Sequence, residues 1–425
     1  MTSSSDSHFD VVVVGAGPAG IAAAVCAAEK GARIALLDDN PAPGGQIWRR
    51  GDALSSIGQQ WLARLSRAKV AYLPGLRVYD HVADGMIAAE CGQDRVELQY
   101  EKLILATGAR ELFLPFPGWT LPNVFGAGGL DAMARGGLPV KGKRVVVAGT
   151  GPLLLAVAAH LCARGAKIIA VCEQAPLRRV ARFAFGLLAQ PGKLMQGAGY
   201  RWRLRRSQLL FACWPVAAHG KTVLESVTLY QANRKWTVAC DFLACGFHLV
   251  PNIELAQFIG CRIEDGFVTV DDLQQTSVKN VLCAGEPTSI GGVDLALIEG
   301  QIAGLAAAGA SQEVTPLVRR KQNMLAFVRA MRAMYQLDPE LRCLADDDTI
   351  VCRCEDISYD ALRRHSGWRD AKLQTRCGMG PCQGRICGAA AEFLFGWHVD
   401  GIRPPVLPVL VSSLITRDRI SEEAL

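Results

Sequence analysis

The stretch Phe9–Asp39, FDVVVVGAGPAGIAAAVCAAEKGARIALLDD, decides the fold. Four successive valines make a strand buried on both faces, and Gly15-Ala16-Gly17-Pro18-Ala19-Gly20 then turns the chain into an Ala-rich helix. Gly31 stops that helix, and a second apolar run ends in Asp38 and Asp39. In such a βαβ unit each glycine has its own duty. Gly15 makes the tight turn, Gly17 lets the backbone approach a pyrophosphate, and Gly20 lets helix and strand pack closely. The helix N-terminus, opened by Pro18 and Ala19, supplies positive partial charge. Asp38, closing the second strand, stands where a carboxylate accepts hydrogen bonds from ribose hydroxyls. A Gly-x-Gly-x-x-Gly alone is a weak signal; set between a buried strand and a helix, with an acid closing the unit, it is a strong one.

The unit recurs at Lys143–Glu173, KRVVVAGTGPLLLAVAAHLCARGAKIIAVCE. Gly149 and Gly151 remain, but Leu154 stands where the third glycine belongs. Leu154 is expected to hold the helix off its strand and to weaken the nucleotide site, although Glu173 persists as a ribose acid. Two readings follow: an adenine nucleotide bound without redox use, or a fold kept after its ligand was lost. On either, NAD(P)H turnover is expected to be absent. Strand-like and helical runs alternate through residues 9–310, so the class is α/β with parallel sheets.

The totals narrow the function. With 425 residues, half of them apolar, the chain is globular and holds more than one domain. A net charge of +6 from dispersed basic residues argues against nucleic acid. The start MTSSSDSHFD carries no apolar leader, so the cytoplasm is the expected compartment, with a peripheral position at the inner face of a membrane as a variant. Fifteen cysteines in an unsecreted chain imply reduced thiols, some of them metal-bound. Residues 39–90 and 92–161 hold no cysteine, which leaves no redox disulfide beside either dinucleotide unit.

Near the C-terminus, Cys352 and Cys354 lie in VCRCED, and Cys382 and Cys387 in GPCQGRIC. Four thiolates from two short loops suit a 2Fe–2S cluster, whereas structural zinc more often uses two CxxC pairs. Cys352 and Cys354 form one half. The other half is Cys382 with Cys387 or Cys377 with Cys382, since both pairs read CxxxxC. Gly380, Pro381 and Gly384 surround Cys382, and the two glycines leave backbone amides free to turn toward cluster sulfides. The basic group Arg201, Arg203, Arg205 and Arg206 reads as a solvated helix face or a subunit contact.

Three further segments separate FAD from NAD. NPAPGGQIWR (residues 40–49), ATGAR (106–110) and VLCAGEPTSIGGVDLALIEGQIAG (281–304) resemble the two-dinucleotide-domain flavoproteins related to glutathione reductase and thioredoxin reductase. The resemblance implies flavin contacts from Gly45, Gln46 and Arg49, and from Ala106, Thr107 and Gly108. It implies others from Gly285, Gly291, Gly292 and Glu286, the last standing where Asp is usual. The terminal module resembles bacterioferritin-associated-ferredoxin-like 2Fe–2S domains, written CxCE…TRxGMGxCQGxxC, which favours Cys382 with Cys387 and leaves Cys377 as the alternate.

From Phe9 to about residue 408 the chain resembles the alpha subunits of heteromeric FAD-dependent amino-acid and opine dehydrogenases, the group that includes subunits of hydrogen cyanide synthase, opine oxidase and proline or D-hydroxyproline dehydrogenases. VVVGAGPAG, PGGQIWR, VAGTGPLLLAVAA and TRCGMGPCQGRIC carry that likeness. It implies FAD and a 2Fe–2S cluster in this chain and a separate FAD-containing, D-amino-acid-oxidase-like subunit that oxidises the substrate. It also allows a small ferredoxin-like third subunit, FMN at a subunit interface, and a quinone or other carrier as acceptor.

The expected organisation is two Rossmann-like domains of the pyridine nucleotide-disulfide reductase type plus a small helical 2Fe–2S domain. The FAD domain is expected over 1–118 and 245–312, and the degenerate dinucleotide domain over 119–244. A connector (313–345), the cluster module (346–397) and a tail (398–425) complete the chain. The alternative is a self-contained NAD(P)H-dependent flavin oxidoreductase with an appended ferredoxin-like module.

Overall fold

The computed structural model describes residues 8–48, 55–186, 191–399 and 401–415. The chain divides into two compact units: Met1–Ala109 with Pro251–Ala326 and Gly401–Leu425, and Arg110–Val250 with Phe327–Asp400.

In the first unit the strand His8–Val14 lies between Ile34–Asp38 and Asp94–Leu105, parallel to both. Val70–Pro74 extends the sheet beyond Ile34–Asp38, and Val281–Cys283 pairs with the end of Asp94–Leu105. Val11, Val12 and Val13 are almost wholly buried, as a doubly covered strand requires. The helix Pro18–Glu29 buries every residue from Ala19 to Ala27. It can do so because its neighbour, Gly292–Ala307, meets it through glycines. A Cβ on Gly300 would lie 2.1 Å from the Ala19 carbonyl oxygen, and one on Gly304 would lie 2.2 Å from that of Ala23. The strands Arg77–Ala83 and Met86–Cys91 form an antiparallel meander on Asp94–Leu105. The Pro-rich tail straps onto it. Val406 N donates to the Tyr79 carbonyl at 2.8 Å, and Leu410 N and the Ser413 hydroxyl both donate to Glu90.

The second unit repeats the plan with an all-parallel sheet ordered Gln208–Phe211, Lys167–Glu173, Arg144–Gly149, Phe242–Gly246, Val124–Gly126. An antiparallel sheet, Cys213–His219 with Ser226–Gln231 and Arg234–Ala239, is inserted before the last parallel strand, Phe242–Gly246. Leu154 is accommodated by a rebuilt turn. Gly151 has φ +97° where Gly17 has −76°, and the first helical bond runs from Leu154 N to the Gly151 carbonyl, three residues apart. In the first unit the corresponding bond spans four residues, from Ile21 N to Gly17, and a Cβ on Gly20 would lie 1.8 Å from the Gly15 oxygen. The leucine therefore changes how the helix starts, as its bulk demands.

The cysteine module belongs to the second unit. A short hairpin, Ile350–Cys352 with Ile357–Ser358, precedes the helices Tyr359–Arg363, Trp368–Thr375 and Cys387–Phe395. Trp368 is its core, and Gly378 and Gly384, both with positive φ, wrap its ring so closely that no side chain would fit.

Candidate functional site

The sequence-predicted dinucleotide residues of the first unit converge at the C-terminal ends of its parallel strands, where ligands of open α/β sheets bind. A Cβ on Gly15 would lie 2.3 Å from the Ala106 oxygen, and one on Gly45 would lie 2.8 Å from the Gly17 Cα. The Gly-Gln-Ile-Trp turn, Gly45–Trp48, is thus docked on the fingerprint turn, with Gly44 N bonded to the Ala16 carbonyl at 2.8 Å. Gln46 is exposed there; Arg49 lies outside the described residues. Thr107 and Asn252 lock ATGAR through reciprocal bonds of 2.6 and 2.9 Å, and Gly108 takes φ +71°.

The two acids closing the strand part company. Asp38 is buried and its carboxylate already accepts from Ala16 N (2.6 Å), Asn40 N (2.8 Å) and Asn40 Nδ2 (2.6 Å). Asp39 is exposed. Asp38 therefore ties the glycine turn to its strand, and Asp39, on the exposed side, accepts from Asn40 Nδ2 at 2.8 Å.

At the other side of the same edge, Gly285 has φ +84° and leaves room for Ala19. Glu286 Oε1 accepts from Gly292 N at 3.2 Å, at the start of the helix Gly292–Ala307, and Gly291 precedes it as N-cap. Glu286 Oε2 and the Ser289 hydroxyl are buried and have no protein partner. Burial pushes the Glu286 carboxyl up to about 7. Two unsatisfied polar atoms beside glycines that admit close backbone approach suit a hydroxyl-rich ribityl diphosphate, so the residues fit FAD.

Sequence reasoning missed what holds this edge. Glu299, buried within the same helix, accepts from Gly285 N (2.8 Å) and the Thr288 hydroxyl (2.7 Å). Lys321 donates to Gln274 at 2.5 Å and its charge acts on Glu299. The available signal was one acid in the otherwise apolar run LALIEGQIAGLAA.

In the second unit Glu173 accepts from the Thr150 hydroxyl (2.7 Å), Gly151 N (2.7 Å) and Ala175 N (2.8 Å). Gly149 has φ +142°, and a Cβ there would lie 2.0 Å from the Gly246 oxygen. Glu111 caps the helix Ala127–Arg135 by accepting from Gly128 N and Gly129 N at 2.8 and 3.0 Å, and burial raises its carboxyl.

All five terminal cysteines gather in one place. The sulfurs of Cys352, Cys377 and Cys387 lie within 4.8 Å of one another. Cys382 contacts both Cys387 and Cys354. A cleft of about 270 Å³ is lined by Cys352, Cys354, Cys382 and Cys387, together with Phe113, Trp119, Arg353 and Ile386. Cys377 is buried in the core of the module and does not line the cleft. Thiol hydrogen bonds from Cys377 and Cys387, helped by the amides of Gly378 and Glu355, hold Cys352 down to about 2. The Cys387 thiol and the amides of Ile386 and Gly384 bring Cys382 down to about 5. Neighbouring thiols push Cys387 and Cys377 up in return. Five sulfurs around a shared space, able to lose their protons to a cation, are the donor set that an iron–sulfur cluster or a zinc ion requires.

Comparisons with known proteins agree with this geometry. The family described as "Pyridine nucleotide-disulphide oxidoreductase" matches residues 9–308. Hydrogen cyanide synthase subunit HcnB of Pseudomonas aeruginosa is 30% identical over 94% of this chain and 96% of its own length. The A subunit of the Rhizobium meliloti opine oxidase is 30% identical, with 95% and 97% covered. Among solved structures, L-proline dehydrogenase from P. horikoshii matches 96% of this chain and 79% of that one at TM-score 0.67 and 18% identity. Thioredoxin reductase of T. acidophilum matches 72% of this chain and all of that one at TM-score 0.57 and 21% identity. Among the described residues no helix is long and apolar enough to cross a membrane.

Proposed function

Because this chain belongs to the pyridine nucleotide-disulphide oxidoreductase family, and is an FAD-dependent oxidoreductase by that membership, we propose that it is the electron-transfer subunit of a heteromeric amino-acid dehydrogenase. The observation that carries the reading is the gathering of the terminal thiols around one cleft, in a chain whose first unit is shaped for FAD. Bound at these sites, a flavin would take up an electron pair and a 2Fe–2S cluster would release electrons singly.

The chain's own residues prepare both sites. Gly15, Gly17 and Gly20 let the backbone reach a diphosphate, Asp39 faces outward for the ribose, and Glu286 with Ser289 offers buried hydrogen-bonding atoms to a ribityl chain. Cys352, Cys354, Cys382 and Cys387 face the cleft as cluster ligands, while Cys377 serves the core behind them. Relatives that are subunits of a synthase and of an oxidase support a partner here. That partner is an FAD-containing, D-amino-acid-oxidase-like subunit, and the substrates are D-amino acids, hydroxyproline, proline, glycine or opines. A quinone acceptor would place the complex peripherally at the inner face of a membrane.

Co-expression with such a partner should give amino-acid-dependent dye reduction that neither chain shows alone; full-rate oxidation by this chain by itself would refute the assignment. In the same preparation the cluster's visible absorption and EPR signal should survive Cys377→Ala and vanish with Cys382→Ala. Zinc in place of iron would leave both variants with flavin absorption alone and no cluster EPR signal.

A further inference from the structure

Residues 174–224 contain no Asp or Glu and nine Lys or Arg. No part of the electron-transfer reading uses this run, which begins where the second unit's fingerprint ends. Within it the helices Leu177–Gly186 and Pro191–Arg203 follow one another. Each is pinned by one side. Val180 packs against Met331 and the cluster of Ala175, Met334 and Tyr335, while Leu204 is buried and Tyr200 meets His160 edge-on. What remains outside is unusual for a soluble surface. Leu177 is 58% exposed, Trp202 68% and Met195 76%, and Arg178, Arg179, Arg182, Arg201, Arg203, Arg205 and Arg206 are exposed around them. The Arg205 guanidinium lies 4.7 Å over the Trp202 ring.

We propose that the exposed sides of these two helices dock the chain on an anionic lipid bilayer. The apolar side chains enter the interfacial layer, and the arginines meet lipid phosphates, the arrangement of an interfacial amphipathic helix rather than a spanning one. Tryptophan suits that depth because its ring is apolar and its N–H finds water or phosphate. The long arginine stems lie along apolar surface while their heads reach outward. An acid-free run fits a uniformly negative plane better than a protein partner, whose surface is a mosaic of both signs and whose interface core is poor in charge. The inference deepens the peripheral position given above, and it concerns this surface alone.

The test is flotation of the purified full chain with vesicles of phosphatidylcholine, and of phosphatidylcholine with phosphatidylglycerol, without substrate or electron acceptor. Binding to the anionic vesicles is expected, falling with salt. Replacing Arg201, Arg203, Arg205 and Arg206 by Gln should weaken partitioning by up to several hundredfold, at roughly fivefold per charge. Trp202→Ser with Met195→Ser should weaken it at high salt, where insertion matters most. Arg234→Gln with Lys235→Gln, exposed on another hairpin, should leave it unchanged. An unaltered flavin spectrum and melting temperature show that the variants fold. Equal binding to both vesicle types, none to either, or undiminished binding by the arginine variant overturns the proposal. Loss of the partner subunit from the arginine variant, with vesicle binding intact, also overturns it and makes the surface a protein interface. Vesicle binding is read without turnover, so its failure leaves the dehydrogenase assignment standing, and the reverse holds too.

Discussion

Glu299 shows how much one buried carboxylate can set. It lies in an apolar helix and spends its acceptors on Gly285 N and Thr288, so it fixes the loop that presents Glu286. Burial pushes its carboxyl from 4.5 up to about 7, and Glu286 rises to about 7 for the same reason. A folded-state value above the unfolded one means that the folded chain holds a proton the unfolded chain has lost. The resulting stability is complete below about pH 4.5 and is lost as pH rises through 7. For a fully buried group the window is worth roughly 3 kcal/mol. Urea unfolding of the flavin-free chain between pH 5 and 8 should therefore show stability falling with pH. Glu299→Gln, which keeps an acceptor for Gly285, should remove about half of that slope, and adding Glu286→Gln should remove most of the rest. An unchanged slope in both variants would show that neither carboxyl titrates there.

At the scale of elements, the packing of Pro18–Glu29 on Gly292–Ala307 is set by missing side chains. Gly300→Ala or Gly304→Ala would drive a methyl into a backbone carbonyl at about 2.1–2.2 Å, and neither carbonyl is free to move within its helix. A loss of roughly 1–3 kcal/mol is expected, with flavin content falling alongside, because the same helix begins at Gly292 beside Glu286. Thermal melts and the ratio of flavin to protein absorbance would register both. Local patterns made these elements legible beforehand: valines marked the strand, alanines the helix, glycines the turn, and paired cysteines the metal module. Other features were hidden because they depend on which donors meet in space. The sequence marks Asp38 as the acid that closes the strand, but not that it also accepts from Ala16 of the glycine turn and from Asn40. The spacing of five cysteines admitted two ligand sets, and folding gathers all five: Cys352 and Cys387 share the module core with Cys377 and also line the cleft with Cys354 and Cys382. Glu111, which caps a helix from a strand end sixteen residues upstream of it, left no readable pattern at all.

Taken whole, the molecule builds one βαβ plan twice and finishes it in opposite ways. In the first unit the residue after the closing acid, Asp39, is exposed; in the second it is Gln174, 1% exposed. Gln174 donates to the Thr150 hydroxyl and to the Gln336 carbonyl, both at 3.1 Å, and accepts from Asp338 N at 3.0 Å. The chain thus lays its own 336–338 segment across the strand end where an incoming adenosine ribose needs a carboxylate. Glu173 already accepts from Thr150, Gly151 and Ala175, so at most one of its four acceptor positions is left for a ribose. The rebuilt turn at Gly151 adds to this, because a helix starting with a three-residue bond presents its first amides differently from one starting at Gly17. Reduction by a pyridine nucleotide requires that site, so NADH and NADPH should bleach the flavin of this chain at less than about one hundredth of the rate at which amino acid bleaches it through the partner, a loss of roughly 3 kcal/mol or more in transition-state binding. Stopped-flow absorbance at the flavin band, with either nucleotide in excess, is the measurement. Bleaching by NADH at the partner's rate would mean that the 336–338 segment opens, and it would return the chain to the ranks of self-contained reductases. A bleaching rate that stays low with both nucleotides is the outcome the proposed partner subunit predicts.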